Sequence, residues 1–234
     1  MPTASRKEVA TPVARDPAQK SGSAKPVLFY LPISHYCVSV ERMMAFKGIP
    51  CEIVKVPYHD KRELIRATGQ DFVPALVWGT QIVPWKEIPE FLEERKPEPT
   101  LFPAQWKGVA EVLENWGHLV LEERVWRAVV TKVPPTLGDL ERWVFEEIQT
   151  RARGPWHVLE LREAEFRLEM IEYLRLVDAM LRDKEWVLGQ PSVADFGLYG
   201  GLSPLLTIGE EIPAGLPSLT KWVQQIRRLR VPKP

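Results

Sequence analysis

Two short segments, about forty residues apart, carry the residues best suited to chemistry. Ser34 and Cys37 place a hydroxyl and a thiol in an S-x-x-C spacing, directly after the apolar run at 27–30. That run predicts a strand and the residues after Cys37 predict a helix, so both groups lie where a strand turns into a helix. Val73-Pro74 opens a second apolar run, and its proline removes a donor that a strand normally uses. Together the segments predict a ligand-binding sheet edge suited to thiol chemistry.

The composition limits the classes of function. The chain has 234 residues, of which 45% are apolar, enough for one large or two smaller compact units. Its 31 basic and 31 acidic residues cancel, so nothing global indicates nucleic acid or an anionic membrane as a partner. No apolar stretch reaches the length of a membrane span. Two cysteines, Cys37 and Cys51, make no disulfide framework, and we expect a reducing cytoplasm.

The chain divides into three parts. Residues 1–26 carry five basic and two acidic residues but almost no bulky apolar ones, which predicts a disordered tail. Residues 27–100 predict short strands and helices in the order β-α-β-α-β-β-α. Residues 104–230 predict helices only, separated by breaks that contain proline and glycine.

Periodicity predicts the individual elements. In the first part we expect strands at 27–30, 52–56, 75–77 and 81–83 and helices at 38–46, 61–68 and 86–95. In the second part we expect helical segments at 106–132, 139–151, 157–184, 193–206 and 218–228. Ser192 and Asp195 have the spacing of a capping box, which indicates a buried helix that satisfies its own first turn.

The serine–cysteine turn, the valine–proline pair, a proline-containing linker and the capping box occur in an order that resembles the glutathione transferase superfamily. The resemblance covers roughly residues 27–230. It implies an α/β plus all-α fold, in which a thioredoxin-like βαβαββα domain precedes a helical-bundle domain. It also implies glutathione as co-substrate, a small apolar electrophile as second substrate, and a homodimer paired through apolar side chains at 106–126.

In this resemblance Ser34 matches the residue whose hydroxyl donates to the glutathione sulfur. A helix that starts near Cys37 points free amides and its positive dipole end at the preceding loop, which stabilises a thiolate. A plain helix N-cap is the equally open alternative for this serine. Tyr30, at the end of the first strand, is a second candidate hydroxyl donor. Cys37 is a candidate thiol, although a buried free cysteine is usually inert, and Cys51 is expected in the core.

The valine–proline pair resembles the cis-proline of the family. A cis bond would turn the amide and carbonyl of Val73 outward to pair with the cysteinyl unit of glutathione, with Pro74 beneath it. Pro84-Trp85 falls where the family has an acidic residue or Gln followed by Ser, which hold the γ-glutamyl carboxylate. Proline has no amide to donate and tryptophan is bulky, so the sequence departs from the family here. Lys86 is the alternative contact.

Three functions remain open. They are a glutathione transferase or lyase, a non-catalytic binding module with the same fold, and a thiol oxidoreductase that uses Cys37. We expect the co-substrate pocket between the two domains, near helical positions such as Trp106, Trp116 and His118, whose facing the periodicity leaves open. His35 and His59 form no standard zinc spacing with the two cysteines, so no metal is expected.

Overall fold

A computed structural model describes residues 25–233, so the tail predicted at 1–26 lies almost wholly outside the described residues. The first part of the fold is a four-stranded mixed sheet with the order β2-β1-β3-β4. β1 pairs parallel to β2 and antiparallel to β3, and a hairpin with Gly79 at φ 65° joins β3 to β4. The strands are β1 (Val27–Tyr30), β2 (Glu52–Lys55), β3 (Ala75–Trp78) and β4 (Gln81–Pro84).

Helices pack around this sheet and then form the rest of the described chain. The first three are α1 (His35–Phe46), α2 (Arg62–Thr68) and α3 (Ile88–Arg95). The second part contains α4 (Lys107–Trp116), α5 (Glu122–Val129), α6 (Asp139–Arg153), α7 (Trp156–Leu161), α8 (Glu163–Met180), α9 (Val193–Thr207) and α10 (Pro217–Arg228). The predicted thioredoxin-like and all-helical fold is therefore confirmed. The bounds predicted for the two domains, 27–100 and 104–230, stay predictions.

Helix α9 joins the two parts because it is buried along almost its whole length. Its residues from Val193 to Leu205 are all buried, and the helix packs against α1, α4 and α5. Phe196 lies in the core that fills the space beneath the sheet, while Leu202 lies in the core of the helical domain. The capping box predicted for this helix is present: the Asp195 carboxylate accepts from the Ser192 amide at 3.0 Å.

Some predicted elements were wrong in extent. α1 begins at His35, three residues before the predicted start, because Ser34 caps it. The helix predicted at 157–184 is two helices, α7 and α8, since Arg162 between them has φ −99° and ψ 8°. The segment predicted at 106–132 is continuous but contains a turn of π-helix at Gly117–Leu121 between α4 and α5.

Candidate functional site

The turn between β1 and α1 forms a closed set of hydrogen bonds around Ser34. The Ser34 side-chain oxygen accepts from the Cys37 amide at 3.4 Å, which makes it the N-cap of α1. The Ser34 amide in turn donates to the Leu31 carbonyl at 3.0 Å. The serine is therefore a helix cap, as one of the two alternatives predicted. A hydroxyl that accepts in this way still has its own proton to donate.

Cys37 lies behind this turn and is fully buried. Its sulfur accepts from the Leu31 amide at 3.3 Å, and burial raises the pKa of the thiol to about 12. Burial also raises the pKa of Cys51 to about 12. Both cysteines are thiols at neutral pH and lack the reactive thiolate form.

Tyr30 does not share the site with Ser34. Its hydroxyl donates to the Glu41 carboxylate at 3.3 Å, two turns along α1 from the cap. Burial, with the Glu41 charge as a second cause, raises the pKa of this phenol. The structure therefore separates the second candidate hydroxyl from the first.

The remaining predicted residues lie on the loops that follow. The Val73-Pro74 bond is cis, as the sequence predicts. No residue in the described part of the chain forms a hydrogen bond with the Val73 backbone. Trp85 opens a short 3-10 turn before α3, and the Lys86 ammonium lies 5.4 Å from the centre of its ring.

Three aromatic rings connect the sheet domain to the helical domain. Tyr36, in the first turn of α1, lies 4.1 Å from Trp85 and 4.5 Å from His118, measured between ring centres. His118 belongs to the π-helical turn after α4. Tyr36 thus fills the space between the loop after β4 and the helical domain.

Beside this ring stack lies a cleft of about 330 Å³ between α1, α3 and α4, here called the interdomain cleft. Tyr36, Trp85 and Met43 give it aromatic and apolar walls. Ser34, Val73 and Pro74 do not line it. The residues predicted to bind glutathione therefore do not share one cavity, and among them only Trp85 and Lys86 line the cleft. The polar groups that line it are Ser39, Lys86, Glu90, Glu111, Glu114, Asn115 and His118.

Several polar groups of the interdomain cleft have no partner. Ser39 is 1% exposed and His118 is 6% exposed, yet the Ser39 hydroxyl and His118 Nδ1 form no hydrogen bond with any described residue. The Glu114 carboxyl likewise forms no hydrogen bond or ion pair within residues 25–233. Buried polar atoms normally have a partner, so the Ser39 hydroxyl and His118 Nδ1 keep hydrogen-bonding capacity that a ligand in the cleft could use.

Burial sets the charge of these groups. It raises the pKa of Glu114 to about 8, with the nearby charges of Glu90 and Glu111 as further causes. It lowers the pKa of His118 to about 4. At neutral pH the cleft therefore contains a protonated carboxyl and a neutral imidazole, each able to accept a hydrogen bond.

Glycines position Glu114 and His118. A Cβ added to Gly197 of α9 would lie 2.6 Å from the Cα of Glu114, so only glycine lets α9 approach α4 this closely. A Cβ on Gly200 would lie 2.7 Å from the carbonyl oxygen of His35 and 3.2 Å from His118. The π-helical turn sits at this crossing, and such turns frequently mark functional sites. Glycines inside predicted helices were the sequence signal for this contact.

A second buried network begins at His35, whose ring centre lies 5.3 Å from that of His118. His35 Nδ1 is 3.4 Å from the Glu122 carboxylate, which also pairs with Arg153 at 3.2 Å. Burial lowers the pKa of His35 to about 2, and burial raises the pKa of Glu122 to about 7. Arg153 continues the network to Gln149, whose amide donates to Tyr58 of the β2–α2 loop at 3.3 Å. The network ties the start of α1 to α6.

The structure also gives the positions of three tryptophans whose facing the sequence left open. Trp106 is 40% exposed and lies outside the cleft. Trp116 stacks on Tyr173 of α8 with 6.0 Å between ring centres. Trp126, at the end of the predicted dimer segment, is buried in the helical core. Residues 25–233 contain no group of three or more metal-ligating side chains, and no helix among them is long and apolar enough to cross a membrane.

The sequence of residues 28–100 matches the family described as glutathione S-transferase, N-terminal domain. No curated protein matches the sequence of this chain. Among solved structures, glutaredoxin 2 from Salmonella typhimurium in complex with glutathione superimposes with a TM-score of 0.71 at 17% identity, over 89% of this chain and 97% of that one. A glutathione S-transferase from Rhodospirillum rubrum has a TM-score of 0.68 at 20% identity, over 87% and 88% of the two chains.

A third structure, a glutathione transferase homologue from Sulfitobacter with bound glutathione, has a TM-score of 0.65 at 16% identity, over 88% of this chain and 94% of that one. Identities at this level show the fold alone. The match at 28–100 adds the family of the sheet domain, and the fold extends through the helices. By these findings residues 28–100 match the glutathione S-transferase N-terminal domain, and the chain as a whole has the fold of these proteins.

Proposed function

We propose that the chain is a glutathione-dependent transferase that activates the glutathione thiol at Ser34. One observation carries this proposal: the Ser34 hydroxyl caps α1 as an acceptor and keeps its proton for a second partner. A sulfur placed before the first turn of α1 would accept that proton. It would also lie at the positive end of the helix dipole, which favours the thiolate.

The proposed position of glutathione follows from the groups around Ser34. The Val73 backbone has no hydrogen-bond partner among the described residues and is available to the cysteinyl unit of glutathione. The Lys86 ammonium would attract the γ-glutamyl carboxylate. The Salmonella and Sulfitobacter proteins, solved with glutathione, support this choice of ligand.

In the proposed reaction the glutathione thiolate attacks an electrophilic carbon of a small apolar co-substrate. A C–S bond forms, the leaving group departs with its electron pair, and the thiol proton passes to solvent. The chain's own cysteines take no part, because burial raises the pKa of both thiols to about 12. This observation disfavours the alternative of a thiol oxidoreductase that uses Cys37.

A second candidate function is a binding module that keeps the fold without catalysis. Trp85 favours it, because its ring packs against Tyr36 where the family places a small polar residue. Pro84, which precedes it, has no amide to donate to a carboxylate. In this alternative the site would hold a ligand or partner and make no new bond.

We further propose a cytoplasmic homodimer. Two buried free cysteines suit a reducing compartment. α4 and the π-helical turn carry exposed apolar side chains that a second copy would cover, with Val112 at 67% and Leu119 at 64% exposure. A stable twofold interface would bury at least about 1,000 Å² in total. Sedimentation at micromolar concentration should therefore give a dimer, and a monomer would contradict this proposal.

The transferase proposal is tested by Ser34→Ala, assayed with glutathione and a chromogenic aryl halide. Loss of one donor to a developing thiolate should lower kcat/KM at least about tenfold. The variant also loses a helix cap, so its stability should fall by about 1 kcal/mol. Ser218→Ala is the matched control, a serine in the first turn of α10 and far from the cleft.

The binding-module alternative is tested by calorimetric titration of the same proteins with glutathione. Trp85→Ser should bind glutathione more tightly than the parent, since it removes the bulky ring and supplies a hydroxyl. If Ser34→Ala has parent activity, and neither the parent nor Trp85→Ser binds glutathione at millimolar concentration, the transferase proposal fails. Binding without turnover by either form would favour the binding module.

A further inference from the structure

The interdomain cleft is acidic and aromatic at once. Glu90 on α3 and Glu111 and Glu114 on α4 place three carboxyl groups on its walls, beside the rings of Tyr36 and Trp85. Glu111 is paired with the exposed Lys107 at 3.7 Å. The cation of the cleft itself, Lys86, forms no ion pair with any described acid and instead lies over the Trp85 ring.

Three acceptors in the cleft have no partner. They are the Glu114 carboxyl, the Ser39 hydroxyl and His118 Nδ1, and the last two belong to side chains more than nine-tenths buried. A protonated primary amine presents three N–H donors and one positive charge. The described acids do not form a metal-binding group, so a metal ion is the poorer candidate for this charge pattern.

We infer that the interdomain cleft binds a ligand in which a protonated primary amine is joined to an aromatic or apolar group. The amine would bond the Glu114 carboxylate, Ser39 and His118. The apolar part would pack on Tyr36, Trp85 and Met43, where cation–π attraction adds to apolar contact. The inference goes beyond the proposed function, because this binding needs neither glutathione nor turnover.

The charges that face Glu114 make the binding dependent on pH. Glu90 and Glu111 face it from α3 and α4, Tyr36 of α1, Lys86 and His118 line the same cleft, and α9 approaches it at Gly197. Without a bound amine, the Glu114 carboxyl keeps its proton to about pH 8, since burial raises its pKa. A bound ammonium would stabilise the carboxylate, so binding should release a proton and strengthen as pH rises from 6 to 8.

The probe for the test is phenethylamine, titrated by calorimetry without glutathione. 2-Phenylethanol and phenylacetate are the matched probes, with a neutral and a negative group on the same ring. Phenethylamine should bind at least about tenfold more tightly than either, and Glu114→Gln should weaken it at least about tenfold. Glu94→Gln, an exposed carboxyl of α3 outside the cleft, should leave affinity unchanged.

Two results would overturn the inference. One is equal affinity for phenethylamine and 2-phenylethanol, which would make the cleft merely apolar. The other is no binding of phenethylamine at 10 mM, on the order of the weakest specific affinities, by folded protein at pH 8. Proton release is checked by repeating the titration in two buffers of different ionisation enthalpy. Because glutathione is absent, a failed transferase proposal leaves this test unaffected.

Discussion

Two carboxyl groups of the helical domain, the fully buried Asp195 and the partly buried Glu114, lie in opposite surroundings. The Asp195 carboxylate accepts four hydrogen bonds, from the amides of Val187 and Ser192, the Ser192 hydroxyl and the Trp222 indole, at 3.0–3.2 Å. Glu114 accepts none from any described residue. Burial raises the pKa of Asp195 only to about 6, because its hydrogen-bond donors favour the carboxylate. Burial raises the pKa of Glu114 to about 8.

The difference separates a structural role from a binding role. Asp195 holds the start of α9, the loop before it and α10 in one cluster, and needs no ligand to do so. Glu114 is only partly buried and bonds no described residue, so its carboxyl is available to a ligand. A buried acid whose donors are all inside the protein stabilises the fold, whereas one without donors costs stability until something binds.

The largest effect should come from Asp195→Ala. It leaves two amides and an indole N–H buried without an acceptor, so the free energy of unfolding should fall by about 3 kcal/mol or more. Glu114→Gln at pH 6, where the parent carboxyl is protonated, should change it by less than about 1 kcal/mol. Urea unfolding measures both. If Asp195→Ala does not fold, Ser192→Ala takes its place and should lower the free energy of unfolding by about 1 kcal/mol. Equal losses from Ser192→Ala and Glu114→Gln would refute the comparison.

A smaller effect is expected from Gly197→Ala, which disturbs the helix contact that positions Glu114. The new Cβ would lie 2.6 Å from the Glu114 Cα, so the helices must separate at a cost of about 1–3 kcal/mol. Gly108→Ala is the matched control, because nothing lies within 4 Å of its Cβ. That control should gain up to about 1 kcal/mol by better helix propensity. Thermal unfolding of both variants decides the point, and equal shifts would show that the contact is not tight.

The smallest effect is a pH dependence that belongs to Glu114. The folded carboxyl holds its proton to about pH 8, whereas the unfolded one loses it near its ordinary value of 4.5. Between these values the folded state binds more protons, so stability should fall as pH rises. The fall should be larger in the parent than in Glu114→Gln by more than about 1 kcal/mol.

The difference between the two stability profiles isolates Glu114. The pKa of Glu122 is also raised, to about 7, and that of His118 is lowered to about 4, but both groups are present in the parent and the variant alike. Parallel profiles from pH 5 to about pH 8 would show that Glu114 is solvated and outside the comparison.

The sequence predicted what local patterns determine. The four short strands and the capping box at Ser192 each depend on neighbours in the chain, and each is present in the structure. The predicted start of α1 is three residues too late, because Ser34 was recognised as a possible cap but the helix was not extended back to it. Local rules thus gave the fold and the turn before α1.

The interdomain cleft depends on contacts between distant helices, so periodicity did not reveal it. His118 was named without a facing, and Glu114 was not named at all. The spacing Gly197, Gly200, Gly201 in one helix and Gly117 in another was the available signal, because glycine inside a helix is unfavourable unless a close approach requires it. This spacing marks the residues on the same helix face as those glycines as candidates for a site between the helices.

The burial of Cys37 and Cys51 has an experimental consequence. Both sulfurs are shielded in the native state, one behind the cap of α1 and one at the start of β2. A thiol reagent will therefore modify the chain only when one of these places opens, and the rate of modification reports the free energy of that opening. The two cysteines give the sheet domain a pair of internal reporters, so the effect of a ligand without a free thiol on its opening is measurable without adding a label.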